Sequence, residues 1–222
     1  VRFALVPDLE TTKEAARRSY DRKAWWYDAA ASFERDYRDE GLRLFSPEEG
    51  EILLEVGFGT GLSLIALAQA VGEGGKVCGI DISPNMTAAA EKKLWRNGLG
   101  HRAELVCGDA STIPYGNRYF DGIFMCFSLE LFDTPEIYSV LDECRRVLKQ
   151  EGRICIVSLS RTKVTPAVKL YEFLHRMFPK SLDCRPIYVE HIVQQYGFGV
   201  EASRLRSMYG LPVEIVVAAP HQ

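Results

Sequence analysis

Ile52-Leu53-Leu54-Glu55-Val56-Gly57-Phe58-Gly59-Thr60-Gly61-Leu62-Ser63-Leu64 joins an apolar run to three glycines at alternate positions. A run rich in Leu, Ile and Val predicts a strand buried on both faces, here 51–56. Beyond the glycines, Leu62, Leu64, Ile65, Leu67, Ala68 and Val71 predict a helix over about 61–71. Glycine at the junction permits positive φ and removes Cβ, so a ligand can lie directly against the backbone. The first turn of the helix leaves N–H groups unpaired, ready to face an anionic group.

Strand, glycine turn and helix together imply a nucleotide-like ligand, and the spacing narrows the choice. The dinucleotide pattern Gly-x-Gly-x-x-Gly/Ala requires a small residue at position 62, where this chain has Leu62. That argues against an NAD-linked oxidoreductase, the main competing class.

Working outward, Gly72-Glu73-Gly74-Gly75 ends the helix and Lys76-Val77-Cys78-Gly79-Ile80-Asp81 reads as a second strand. Asp81 closes it with a carboxylate able to accept from both ribose hydroxyls, and Ile82 is placed to pack on an adenine face. Ser83 and Pro84 read as N-cap and first residue of a helix over 84–97. A third strand, 103–107, runs into Gly108-Asp109-Ala110, where Asp109 reads either as a turn residue or as a ligand contact. A fourth strand, 119–127, opens on Phe120-Asp121, with Asp121 read as structural. It ends in Ser128-Leu129-Glu130-Leu131-Phe132. The carboxyl edge of an open parallel sheet binds ligands, so Phe127, Ser128 and Glu130 are expected there. Glu130, the ionisable residue of the loop, either orients or deprotonates an acceptor or is an exposed carboxylate. Thr134-Pro135-Glu136 starts a helix to about Leu148, and Arg153–Ser158 forms a fifth strand.

The pattern Glu55-x-Gly57-x-Gly59-x-Gly61 resembles motif I of the class I S-adenosylmethionine (SAM) methyltransferases. Together with Gly79-Ile80-Asp81-Ile82-Ser83-Pro84-Asn85-Met86 and Gly108-Asp109-Ala110, it is most similar to the ubiquinone/menaquinone-biosynthesis C-methyltransferases and their relatives (the type 11 group), phospholipid N-methyltransferases among them. Arg146–Ile154 resembles the family's R-V-L-K-P-G-G turn, with Gln150 and Glu151 replacing Pro and Gly. The resemblance covers about 45–160 by motif. It implies a Rossmann-like, doubly wound, seven-stranded, mostly parallel sheet closed by a C-terminal antiparallel hairpin, with SAM as cofactor. It assigns Glu55, Gly57, Phe58, Gly59, Gly61, Asp81, Ile82, Asp109, Ala110, Phe127 and Ser128 to the cofactor, with Asp109 accepting from the adenine amino group. Quinone enzymes typically carry an Arg-Asn pair after the fourth strand, where this chain has Ser128-Leu129-Glu130-Leu131, a departure that bears on the acceptor. A small-molecule acceptor follows, a quinone precursor or a lipid among the candidates. A non-catalytic SAM-binding protein is the third reading.

Residues 9–41 predict an N-terminal helical cap with an aromatic segment, Tyr20 to Asp28. Its rings either anchor the cap or, as the resemblance implies for Tyr20 and Tyr27, close over the cationic cofactor. Past the fifth strand, Val164, Val168, Tyr171, Leu174 and Phe178 recur at helical spacing. From 161 to 206 there are 8 Lys/Arg and 4 Asp/Glu, against a chain total of −3. This insert, about 161–199, reads as a substrate lid, a membrane-surface contact or plain packing. Strands 200–207 and 213–219 read as the closing hairpin.

At 222 residues the chain suits one α/β domain: cap 1–45, binding core 46–160, insert 161–199 and hairpin 200–222. Net charge of −3 and pI near 5.9 give no electrostatic case for nucleic acid. No apolar run reaches the length of a membrane span, so a cytoplasmic location with at most peripheral membrane contact is expected. A chain that begins at Val1 leaves room for a trimmed leader. Six cysteines show no C-x-x-C spacing; Cys78, Cys107, Cys126 and Cys155 are expected as small buried hydrophobes, with no metal site. The oligomeric state is open.

Overall fold

The computed structural model describes residues 33–163, 165–177 and 184–221. Seven strands form one sheet: β1 (Ile52–Val56), β2 (Lys76–Asp81), β3 (Ala103–Cys107), β4 (Phe120–Cys126), β5 (Leu148–Leu159), β6 (Phe198–Met208) and β7 (Leu211–Pro220). Their order is β3-β2-β1-β4-β5-β7-β6. β1 to β5 pair in parallel, and β7 lies antiparallel to both β5 and β6. The expected fold class is the observed one.

Helices cover both faces, as a parallel sheet requires. On one face lie α1 (Arg35–Phe45), α2 (Leu62–Ala70) and α3 (Pro84–Arg96), contributing Phe45, Leu64, Leu67 and Leu94 to a core with Leu53, Phe124 and Val157. On the other lie α4 (Thr134–Val147) and α6 (Val189–Gln195), whose Ile137, Val140, Leu141 and Ile192 pack with Leu54, Ile123 and Ile156. The remaining helix, α5 (Pro166–Met177), follows β5.

Several boundaries differ from the sequence reading. α1 runs on through Gly41 to Phe45, because that glycine lets the helix settle against β5: a Cβ there would lie 2.5 Å from Val157 Cγ2. β5 begins at Leu148, with the Lys149–Gly152 turn absorbed as an irregularity in its pairing with β4 between Phe120 and Gly122. The N-cap of α4 is Asp133, in a capping box with Glu136, one residue ahead of Thr134. Only Tyr209 and Gly210 join β6 to β7, both at positive φ as a tight hairpin turn demands. Cys107 is exposed, because β3 is an edge strand with one side uncovered, and Cys126 at the end of β4 is half-buried, while Cys78 and Cys155 are buried as expected. Asp121 is structural, accepting from Ile52 N–H at 2.9 Å and from Lys149 Nζ at 2.6 Å.

Candidate active site at the carboxyl ends of β1 and β4

Strand order reverses between β1 and β4, the point where open parallel sheets leave a crevice beyond their carboxyl ends. The glycine turn leaves β1 with Gly57, Gly59 and Gly61 all at positive φ (70°, 52° and 83°). At Gly57 a side chain is excluded twice over, since a Cβ would also lie 2.5 Å from Ser128 Cβ. Ser128 in turn donates its hydroxyl to Val56 O at 2.8 Å, so the segments following β1 and β4 meet directly. Gly61 approaches α3 closely; a Cβ would stand 2.8 Å from Ala90 Cβ. Phe58 turns into the core over Gly79, leaving its backbone rather than its ring for a ligand.

Asp81 pins this turn. Oδ2 accepts from Gly59 N–H at 2.8 Å and Oδ1 from Ser83 N–H at 2.9 Å. Ser83 caps α3, accepting from Met86 N–H at 3.2 Å. Asp81 and Ile82 are half-buried side by side. Past β3, Asp109 accepts from Ser111 N–H at 2.9 Å, with Ala110 buried beside it.

Glu55 is 2 % exposed, and its Oε2 has no hydrogen-bond partner among the described residues. Burial pushes its carboxyl up to about 8, against a Ser63 hydrogen bond and the Arg38 charge. A buried, orphaned carboxyl oxygen beside a glycine turn suits a cationic group. Phe127, at φ 50°, is a bulky residue in left-handed backbone at the end of β4. Such strain is held only where packing over-determines it. Here Tyr37 meets the ring edge-on at 6.4 Å, and Phe127 N–H donates to Val157 O at 2.7 Å.

Comparison with known proteins agrees with this geometry. A family model described as "Methyltransferase domain" matches residues 53–152. The chain is 33 % identical over 155 residues to a demethylmenaquinone methyltransferase of Bacillus velezensis, covering 66 % of this chain and 65 % of that protein. It is 31 % identical over 172 residues to the demethylmenaquinone methyltransferase of Geobacillus kaustophilus, covering 75 % and 72 %. The chain thus spans just under two thirds of the first of these relatives and somewhat more of the second. A SAM-dependent methyltransferase from Aquifex aeolicus superimposes with a TM-score of 0.67 at 25 % identity, over 90 % of this chain and 98 % of that one.

The chain belongs to the class I SAM-dependent methyltransferase family. Its cofactor is S-adenosylmethionine, and the glycine cradle with its orphaned Glu55 oxygen fits that molecule.

Around the cradle, the methyltransferase gathers carboxyl groups that the sequence reading did not bring together. Glu34, ahead of α1, is raised to about 7 by burial, against the opposing Arg38 charge. Burial, then the charges of Glu34, Glu55 and Glu130, hold the Cys126 thiol well above its ordinary range. Charges from three parts of the chain, at Glu34, Glu55 and Glu130, are thus felt at Cys126 at the end of β4. No local pattern marks Glu34 or Arg38, since their relevance comes from how α1 is laid across the sheet.

Glu130 is not an exposed loop carboxylate. It is 0 % exposed, in a short 3-10 turn (Leu129–Leu131), and Oε1 accepts from Leu159 N–H at 3.1 Å. Its Oε2 is buried without a partner among the described residues, and burial raises the carboxyl to about 8. Full burial leaves it no surface on which to meet an acceptor in this conformation.

Arg185, which the sequence reading did not single out, clamps the same loop from the segment between α5 and α6. Its guanidinium donates to Phe132 O at 2.8 Å and Thr134 Oγ1 at 3.1 Å, and its backbone N–H reaches Glu130 O at 3.4 Å. These partners lie some fifty residues away in sequence, so no spacing rule could find them. Arg185→Ala is expected to lower stability by about 1–2 kcal/mol in urea unfolding, by stranding those part-buried acceptors. Arg185→Lys should recover less than half, because an ammonium lacks the planar fork. Unchanged stability in Arg185→Ala would show that the loop holds itself.

Tyr20 and Tyr27 lie outside the described residues. Among the described residues no cluster of His, Cys, Asp or Glu has metal-holding geometry, and no helix is long and apolar enough to cross a membrane.

Proposed function

We propose that this methyltransferase transfers a methyl group to an apolar small molecule of the quinone-precursor or lipid class, on the cytoplasmic side of the cell. The observation that carries the site assignment is the glycine cradle beside the orphaned Glu55 carboxyl. In this reading Glu55 receives the cofactor's amino-acid ammonium and Asp81 accepts from the ribose hydroxyls. Ile82 packs on the adenine, with Asp109 and the Ala110 N–H recognising its edge. Gly57, Phe58, Gly59 and Gly61 contribute backbone, while Phe127 and Ser128 border the methyl group. When bound, SAM supplies an already electrophilic methyl carbon, so the protein's work is alignment and exclusion of water.

Glu130 then acts as a positioning residue. Buried and bonded to Leu159 N–H, it holds the loop after β4 onto the end of β5. With no free base at that loop, the acceptor brings its own nucleophile, as an ionised hydroquinone ring does. The demethylmenaquinone methyltransferase names of the relatives support the same acceptor class. The domain is read as a single unit, with 161–199 an insert that follows β5. Nucleic acid has no part in the reaction, in keeping with the net charge of −3.

The test is transfer of radiolabelled methyl from SAM into a total cell extract, followed by partition between organic solvent and water. Asp81→Ala protein is the control. Label in the organic phase, absent with the control, is the expected result. Label confined to the aqueous phase would overturn the apolar acceptor and leave a polar metabolite in its place.

A further inference from the structure

Of the large apolar side chains exposed among the described residues, most gather in one place. Leu170, Phe173 and Met177, each 59 % exposed, follow one another at i, i+3 and i+7 along α5 and form a single outward stripe. It is separate from the face the sequence reading assigned to packing. On that face Val168 is buried and Tyr171 and Leu174 half-buried, while Val164 and Phe178 lie outside the described residues. The β6–β7 turn abuts the start of α5, where Thr165 Oγ1 donates to Gly210 O at 2.9 Å. That turn presents Tyr209, 81 % exposed, with the Phe33 ring edge-on to it at 5.9 Å.

We propose that this face is a membrane-docking surface for anionic lipid headgroups and the acyl region beneath them. Three features favour a bilayer. An amphipathic helix that carries large apolar side chains outward, with lysines at its margin, has the composition of an interfacial helix. Lys169 is exposed on the helix next to Leu170 and Lys163 is exposed just ahead of its first turn, whereas the helix's one acidic residue, Glu172, is turned inward and paired with Arg161 at 2.9 Å. The outward face of α5 thus pairs apolar area with positive charge only, in a chain whose net charge is −3. An exposed tyrosine at the rim suits the wet boundary of a bilayer. A second copy of the chain would set the same lysines against each other. The inference does not depend on the acceptor's identity, because it concerns the outer face of α5 and not the carboxyl ends of β1 and β4.

Co-sedimentation with vesicles tests it without acceptor or cofactor. The wild-type chain is expected to bind vesicles of equal parts phosphatidylglycerol and phosphatidylcholine well, and pure phosphatidylcholine vesicles weakly. The triple variant Leu170→Ser, Phe173→Ser, Met177→Ser should lose at least tenfold in binding. Lys163→Gln with Lys169→Gln should lose roughly fivefold per charge on the anionic vesicles alone. S-adenosylhomocysteine affinity, unchanged in both variants, reports that the fold is intact. Equal binding by wild type and triple variant would overturn the proposal. So would a wild type that ignores vesicles and sediments as a dimer that the triple variant abolishes, which would make the face an interface between copies. Methyl label in the aqueous phase would overturn the acceptor reading and leave this result standing.

Discussion

Asp81→Ala is expected to weaken S-adenosylhomocysteine binding by about 100-fold or more in titration calorimetry, with the circular dichroism spectrum unchanged. The carboxylate accepts from Gly59 N–H and Ser83 N–H, one on each oxygen. Removing it strands two amides and frees the glycine turn from the end of β2. Hydrogen bonds to a charged group are each worth about 1.5–3 kcal/mol, so losing two, together with the proposed ribose contact, reaches that range. Asp81→Asn retains one acceptor oxygen and offers an amide where the second N–H points. It should therefore bind with intermediate affinity. Wild-type affinity in Asp81→Ala would mean that the turn is held by Gly57 and Ser128 alone and that the ribose is recognised elsewhere.

Glu130→Gln is expected to stabilise the protein, and to do so only at higher pH. In the folded chain burial raises this carboxyl from 4.5 to about 8. Between those values the unfolded chain has released a proton that the folded chain still holds, so stability falls as pH rises. The contribution of the neutral carboxyl is complete below 4.5 and gone once pH passes about 8. Each unit of separation corresponds to about 1.4 kcal/mol, which places the variant on the order of 3 kcal/mol above wild type near neutral pH. Glutamine keeps an acceptor for Leu159 N–H, so near pH 5 the two should unfold at the same urea concentration. A difference independent of pH would mean that Glu130 is ionised and paired in the folded state. A variant less stable at every pH would mean that the carboxylic acid itself makes a bond that glutamine cannot.

Both expectations depend on features that differ in how readily the sequence discloses them. The cofactor half of the site is written locally. Glu55, the three glycines and Asp81 lie within a single strand–turn–helix–strand unit, where short-range sterics fix the backbone. The glycines sit at positive φ as the turn requires, and Ser83 caps α3 where the spacing put a cap. Hydrophobic periodicity was enough to set the alternation of strands and helices and hence a parallel doubly wound sheet, while its seven strands and closing hairpin were what the family resemblance implied.

What lies past β4 is of another kind. Whether Glu130 faced solvent or the interior depended on whether anything covered it, and the cover comes from β5 and from Arg185, distant segments that no periodicity couples to it. The same holds for Glu34 and Arg38, brought over the strand ends by α1, and for Cys107, left exposed because β3 happens to be an edge. α5 shows the limit most clearly. Its sequence is apolar on two adjoining faces, and period alone cannot say which one packs. The sheet took the Val168 side, and Leu170, Phe173 and Met177 remained outside. Sequence by itself determined the fold and the cofactor's cradle, because both follow from local backbone preference and burial pattern. Tertiary structure alone decided the burial of each carboxyl and the free face of α5, because burial is a property of what long-range packing places on top.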